Sequence, residues 1–151
     1  MKLKWIAACV ALSCLIVSPG LAGPLFLSAT KQVDYEAAVD DISLAINNHG
    51  YTPVKIQPVD EGLRAKGYET SEYKLIFFGD KAQLDKVLAV SPDAAVMLPL
   101  RIILYREGDV VIASAPSMEM WRGVFGGEAL NLLINQWQKD VMAILQEFSK
   151  Q

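Results

Sequence analysis

The sequence predicts one α+β domain, an antiparallel sheet with two main helices laid on it. Three observations carry that expectation. Tyr35, Ala38, Val39, Ile42, Ala45 and Ile46 recur at helical spacing early in the chain. Leu130, Leu133, Ile134, Trp137, Val141, Ile144, Leu145 and Phe148 do the same at its end, in a stripe broad enough to need an apolar surface beneath it. Between them, residues 73–116 read as strand, turn, short amphipathic helix, proline stop, long strand, tight turn and strand. Strands and helices do not alternate in a sustained way, which disfavours a doubly wound parallel sheet.

The first residues read as an export signal. Lys2 and Lys4 make a short positive region. Residues 5–17 carry no charge and have the length of a signal-peptide apolar core, too short to span a bilayer comfortably. Ser18, Pro19 and Gly20 break the run, and Gly20 and Ala22 put small residues where a signal peptidase reads. Cleavage after Ala22 is expected, leaving residues 23–151 as a single domain in the periplasm or outside the cell. Ile6, Ala7, Ala8 and Cys9 have lipobox-like types, but almost no apolar core precedes them. Both cysteines, Cys9 and Cys14, lie inside the signal. The exported chain is therefore expected to be cysteine-free, with no disulfide, thiolate metal site or cysteine nucleophile.

Charge points the same way as length. Loss of Lys2 and Lys4 moves the net charge from −3 to −5. An acidic chain without a basic cluster is a poor match for a phosphate backbone, so no nucleic-acid partner is expected. Stable membrane insertion is not expected either, since no later segment is apolar enough to cross a bilayer.

The elements follow in order. Residues 26–33 have weak strand character. Asp34 suits the N-cap of the first helix, because its carboxylate can accept from free first-turn amides. Asn48, His49 and Gly50 end that helix, with Gly50 placed for a left-handed position. Residues 51–59 alternate as a strand, but Pro53 and Pro58 cannot donate to a ladder, so this strand belongs at an edge or is short. Residues 60–67 are polar, and Gly67 suits the end of a helical turn. Residues 73–78 make a better strand. Gly79 and Asp80 turn the chain into a short helix whose Leu84, Val87 and Leu88 are expected to face inward, stopped at Ser91 and Pro92. Residues 94–106 read as the strongest strand, with Leu100, Ile102 and Leu104 on one face and Arg101, Ile103 and Tyr105 on the other. Glu107, Gly108 and Asp109 form a hairpin loop to a strand over 110–115. Residues 123–127 read as a bend before the last helix.

Gly50 after the first helix, the run Arg64, Ala65, Lys66, Gly67, the pair Phe78–Gly79, Pro92, the run Leu98, Pro99, Leu100 and the strands flanking Gly108 up to Pro116 together resemble the family named domain of unknown function 302. The resemblance covers most of the chain from about Val33 onward. It implies a β-α-β(4)-α order, similar to the TATA-box-binding-protein-like class, and a homodimer. Polar positions depart from one subgroup of that family. Asp80–Lys81 stands where the subgroup has Asn-Pro, Leu84–Asp85 where it has Gly-Thr, and Ala113–Ser114 where it has Tyr-Asn. Any site those groups build elsewhere does not transfer.

Reactive constellations are not found. There is no G-x-S-x-G, phosphate-binding loop, dinucleotide fingerprint or HExxH. The expectation is a non-enzymatic protein without cofactor, a homodimeric binding or scaffold module of the cell envelope. The alternative is a small-ligand or Cu(I)-binding periplasmic protein. Arg101 and Tyr105 share a strand face, and with Trp121 they are the candidate ligand contacts. Met118 and Met120 would project to one side of an extended segment, and thioethers suit Cu(I), with His49, the lone histidine, as a third ligand. The same methionines also suit irregular apolar gaps or a dimer face, and His49 suits a helix terminus. The acidic pairs Asp40–Asp41 and Asp60–Glu61 are expected on a solvated surface.

Overall fold

A computed structural model describes residues 24–122, 124–125 and 127–150. The expected leader over 1–22 lies outside these residues, as do Gly123 and Gly126 of the expected bend. One expectation is corrected by the chain itself. It carries two cysteines, Cys9 and Cys14, so it is not cysteine-free; thiols leave a chain only with the segment that bears them.

Five strands form one sheet: β1 (Phe26–Lys31), β2 (Thr52–Pro58), β3 (Tyr73–Gly79), β4 (Leu100–Glu107) and β5 (Val110–Pro116). Their spatial order is β1-β5-β4-β3-β2, and every neighbouring pair is antiparallel. The helices are α1 (Tyr35–Asn48), α2 (Val59–Arg64), α3 (Lys81–Val90) and α4 (Glu128–Phe148), with 3₁₀ turns over Pro92–Met97 and Met118–Trp121. This is the expected single α+β domain, with the long C-terminal helix packed on the sheet in the TATA-box-binding-protein-like manner.

The sheet is buried on one side because its alternation is apolar there. Register stacks Ile76 beside Ile102, Phe78 beside Leu100, and Leu104 beside Ala113. All of these are essentially inaccessible to water. The α1 stripe is buried as its spacing requires, and so are Leu130, Ile134, Trp137, Val141, Ile144, Leu145 and Phe148 of α4. Each fully buried Ile, Leu or Phe contributes about 1.5–3 kcal/mol relative to exposure. Asp34 caps α1 by accepting from the amides of Glu36 and Ala37. At the same end the buried Tyr35 hydroxyl donates to the Leu104 carbonyl at 2.8 Å, tying α1 to β4.

The opposite face carries Tyr73, Leu75, Phe77, Ile103, Tyr105 and Ile112, all half-buried, with Arg101 exposed beside them. β2 is an edge strand, as its prolines require, and its register shifts between Pro53 and Lys55.

Three sequence expectations are corrected. Residues 94–97 are not strand: they belong to the 3₁₀ turn, and β4 starts at Leu100. Pro92 opens that turn at a position where its missing N–H costs nothing. Of the α3 residues expected inside, only Val87 is buried; Leu84 and Leu88 are 38% and 43% exposed. Asp60 is not solvated. It is buried in α2 and accepts from the Arg64 guanidinium at 2.6 Å, while its Oδ1 has no hydrogen-bond partner.

Candidate functional site

The exposed side of α3 has a structural cause. The insertion between β3 and β4, made of α3 and the following 3₁₀ turn, does not close down on the sheet. It is anchored by buried Val87, Ala94 and Met97. Between this insertion, α4 and the ends of β2, β3 and β4 lies a recess of about 830 Å³. Such a volume lies within the range of small-molecule sites, about 300–1,000 Å³. Val54, Leu84, Ala95, Leu98, Pro99 and Leu100 give it mostly apolar walls, and Tyr51, Gln83 and Trp137 meet in it. Asp80 and Lys81 also line it, and Lys81 pairs outward with Asp85 at 2.6 Å.

The polar groups of the recess form a chain built from three elements. Tyr51 follows the α1 terminus, where Gly50 at φ +82 allows the left-handed turn that starts β2. Its ring meets Phe78 edge to face at 5.6 Å, which aims the hydroxyl toward α4. That hydroxyl donates to Asp140 Oδ2 at 2.6 Å. The other Asp140 oxygen accepts from Gln136 at 2.8 Å. Gln83, from α3, accepts the indole N–H of Trp137 on its Oε1. Its amide nitrogen lies 3.4 Å from the Tyr51 oxygen. Burial raises the Tyr51 pKa above its ordinary value, and the bond to Asp140 acts in the same direction, with Gln83 partly opposing. The phenol is therefore held neutral.

This arrangement can hold a molecule and orient one polar atom. The sequence reading assigned no site role to any of the five residues of the chain. Trp137 and Tyr51 offered a partial signal, since a buried indole N–H or phenol needs a partner. Nothing in the spacing of Gln83 and Asp140 identified those partners.

The residues singled out from the sequence are placed elsewhere. Arg101, Met118, Met120 and Trp121 line one small groove of about 190 Å³ beside Phe26 and Pro116. Trp121 stacks on Phe125 at 5.9 Å. Tyr105 shares the sheet face with Arg101 but borders a different depression, beside Glu72 and Arg106. Residues 118–121 are a 3₁₀ turn rather than an extended segment, so the two methionines diverge: Met118 is buried and Met120 is 48% exposed. The Met118 amide donates to Gln138 at 2.7 Å. His49 instead sits 3.0 Å from Glu147, roughly 13 Å further along the same helix. The structure does not bring the three candidate metal ligands together. Among the described residues, no group of three or more His, Cys, Asp or Glu side chains is placed to hold a metal ion. Nor is any described helix long and apolar enough to cross a membrane.

Comparison with known proteins agrees with the architecture. No curated protein matches the chain. A solved structure described as an uncharacterized conserved protein DUF302 from Bacillus stearothermophilus superposes with a TM-score of 0.76. It is 16% identical, and the match covers 83% of this chain and 98% of that one. At that identity the likeness concerns the fold alone. The family model for Domain of unknown function DUF302 matches residues 27–148, from the first strand to the last turn of α4. The chain belongs to the DUF302 family.

Proposed function

We propose that this protein is an exported, non-enzymatic binding protein that takes a small, mainly apolar molecule into the recess between α3 and α4. The observation that carries the reading is the recess itself: apolar walls around Tyr51, Gln83 and Trp137, whose polar atoms are already fixed by one another. Few, well-oriented polar groups on an apolar lining are what a small-molecule site needs. Tyr51 is fixed on Asp140 and Trp137 on Gln83, and burial holds the phenol neutral, which favours holding over reaction. Titration of the protein with the neutral dye Nile red tests the reading. Binding should raise the dye's emission, and Ala95→Trp, which fills the lining, should abolish the rise without lowering the melting temperature. A dye signal unchanged by Ala95→Trp would refute it.

The half-buried apolar sheet face supports a second reading, that the protein works as a homodimer through that face. Five strands at about 4.8 Å spacing and six or seven residues at about 3.3 Å rise give a footprint of roughly 500 Å² per protomer. Doubled, that approaches the roughly 1,000 Å² at which a specific interface begins. Ile103→Asp would then shift sedimentation from dimer to monomer with the fold intact. Export rests on the leader; N-terminal sequencing of the protein recovered outside the cytoplasm should begin at Gly23.

A further inference from the structure

The geometry points to a ligand class for the recess: an uncharged, largely apolar molecule that presents a carbonyl oxygen to the side-chain amide of Gln83. The inference rests on the binding reading above and adds the chemistry that the site selects.

The argument is a hydrogen-bond inventory. An indole N–H only donates, so the oxygen of the Gln83 amide must be the atom facing Trp137. That fixes the flip of the amide on chemical grounds. The NH₂ group then lies 3.4 Å from the phenol oxygen and Oε1 lies 3.5 Å from it, both long contacts that leave the amide hydrogens weakly engaged. The phenol hydrogen is spent on Asp140 at 2.6 Å. Both Asp140 oxygens already accept, one from Tyr51 and one from Gln136. Among the described residues, the second hydrogen of the Gln83 amide meets no acceptor. The Gln83 amide thus leaves one unspent donor hydrogen in the recess, while the acceptors on the lining, the Asp80 carboxylate and the Thr52 hydroxyl, stand apart from that chain of bonds. A ligand satisfies that hydrogen with a lone pair.

Charge decides which lone pair. Asp140 lies directly behind Tyr51, and Asp80 stands at the rim. Both act on the Tyr51 hydroxyl in the sense that opposes a second negative charge there. A carboxylate entering the same volume meets the same opposition. Among the described residues, the only cation on the lining, Lys81, is paired outward with Asp85. The acceptor is therefore neutral, and the apolar walls supply the rest of the contact.

Three probes of one shape separate the possibilities: 2-acetylnaphthalene, 2-ethylnaphthalene and 2-naphthoate. Each is titrated into the full chain while the Trp137 indole N–H resonance is followed by NMR. The ketone should bind about fivefold tighter than the ethyl compound, the ratio given by one net neutral hydrogen bond. Naphthoate should bind at least about tenfold more weakly than the ketone. Gln83→Leu should remove the ketone's advantage, bringing its affinity to that of the ethyl compound in the same variant. Naphthoate binding as tightly as the ketone would overturn the inference while leaving the recess a binding site, as would a ketone advantage that survives Gln83→Leu. If no probe moves the Trp137 signal, the binding reading itself fails, and the ligand class with it. The three-probe comparison on the unaltered chain decides the matter even if the variant does not fold.

Discussion

Replacing Tyr51 by phenylalanine isolates the chain of polar groups from the packing around it. The ring keeps its edge-to-face contact with Phe78 at 5.6 Å, so no cavity opens. What is lost is one hydrogen bond to a carboxylate at 2.6 Å. Bonds to charged groups are worth about 1.5–3 kcal/mol net. Asp140 keeps Gln136 as a donor and is only partly buried, so its desolvation is small and the low end applies. A loss of about 1.5 kcal/mol lowers the melting temperature of a domain this size by about 5 °C. The effect has a pH signature. Folding holds the Tyr51 pKa above the ordinary tyrosine value, so the hydroxyl's contribution is fully present below about pH 10. It is lost as the pH rises beyond that, because the unfolded phenol ionises while the folded one stays neutral. The gap between parent and variant should therefore narrow between about pH 8 and pH 11. Thermal melts followed by circular dichroism at both values measure it. A variant within about 1 °C of the parent at the lower pH would refute the reasoning. An equal gap at both values would show that the stability comes from something other than the neutral phenol.

Other substitutions probe the remaining supports. Trp137→Ala removes a fully buried indole from the α4 core and should cost about 3–5 kcal/mol in urea unfolding; a value below 1.5 would mean that the recess already lets the side chain's space collapse. Asp34→Ala deletes the α1 cap and should cost about 1 kcal/mol, recovered in large part by Asp34→Ser. Gly108 holds φ +59 in the β4–β5 hairpin, where a Cβ meets no clash but an L-residue is strained, so Gly108→Ala should cost about 1–2 kcal/mol; an unchanged urea midpoint would contradict that turn geometry.

Periodicity revealed the frame because the frame is periodic. The α1 and α4 stripes are long, regular and buried almost residue for residue. The inward faces of β3 and β4 follow from alternation alone. The insertion between those strands misled for a physical reason. Residues 94–100 are an apolar run, and periodicity does not separate a strand from a short turn when Pro92 and Pro99 fix the backbone. Leu84 and Leu88 keep helical spacing yet face the rim of a recess, a distinction set by what lies opposite them. The site was illegible for the same reason. Tyr51 and Asp140 are 89 residues apart, and only the packing of α4 across the ends of the strands unites them. Asp60 read as surface because its neighbours are polar; its burial comes from how α2 folds back beside β3.

The loose seating of α3 and its trailing turn has a consequence for how this scaffold changes over time. Three buried side chains secure that excursion, whereas the sheet and its two long helices hold each other through about twenty inaccessible ones. Alterations along the excursion can reshape the cavity wall while the scaffold that keeps the molecule folded stays intact. Relatives sharing this architecture are thus free to diverge in the shape of this cavity far faster than in how they are built.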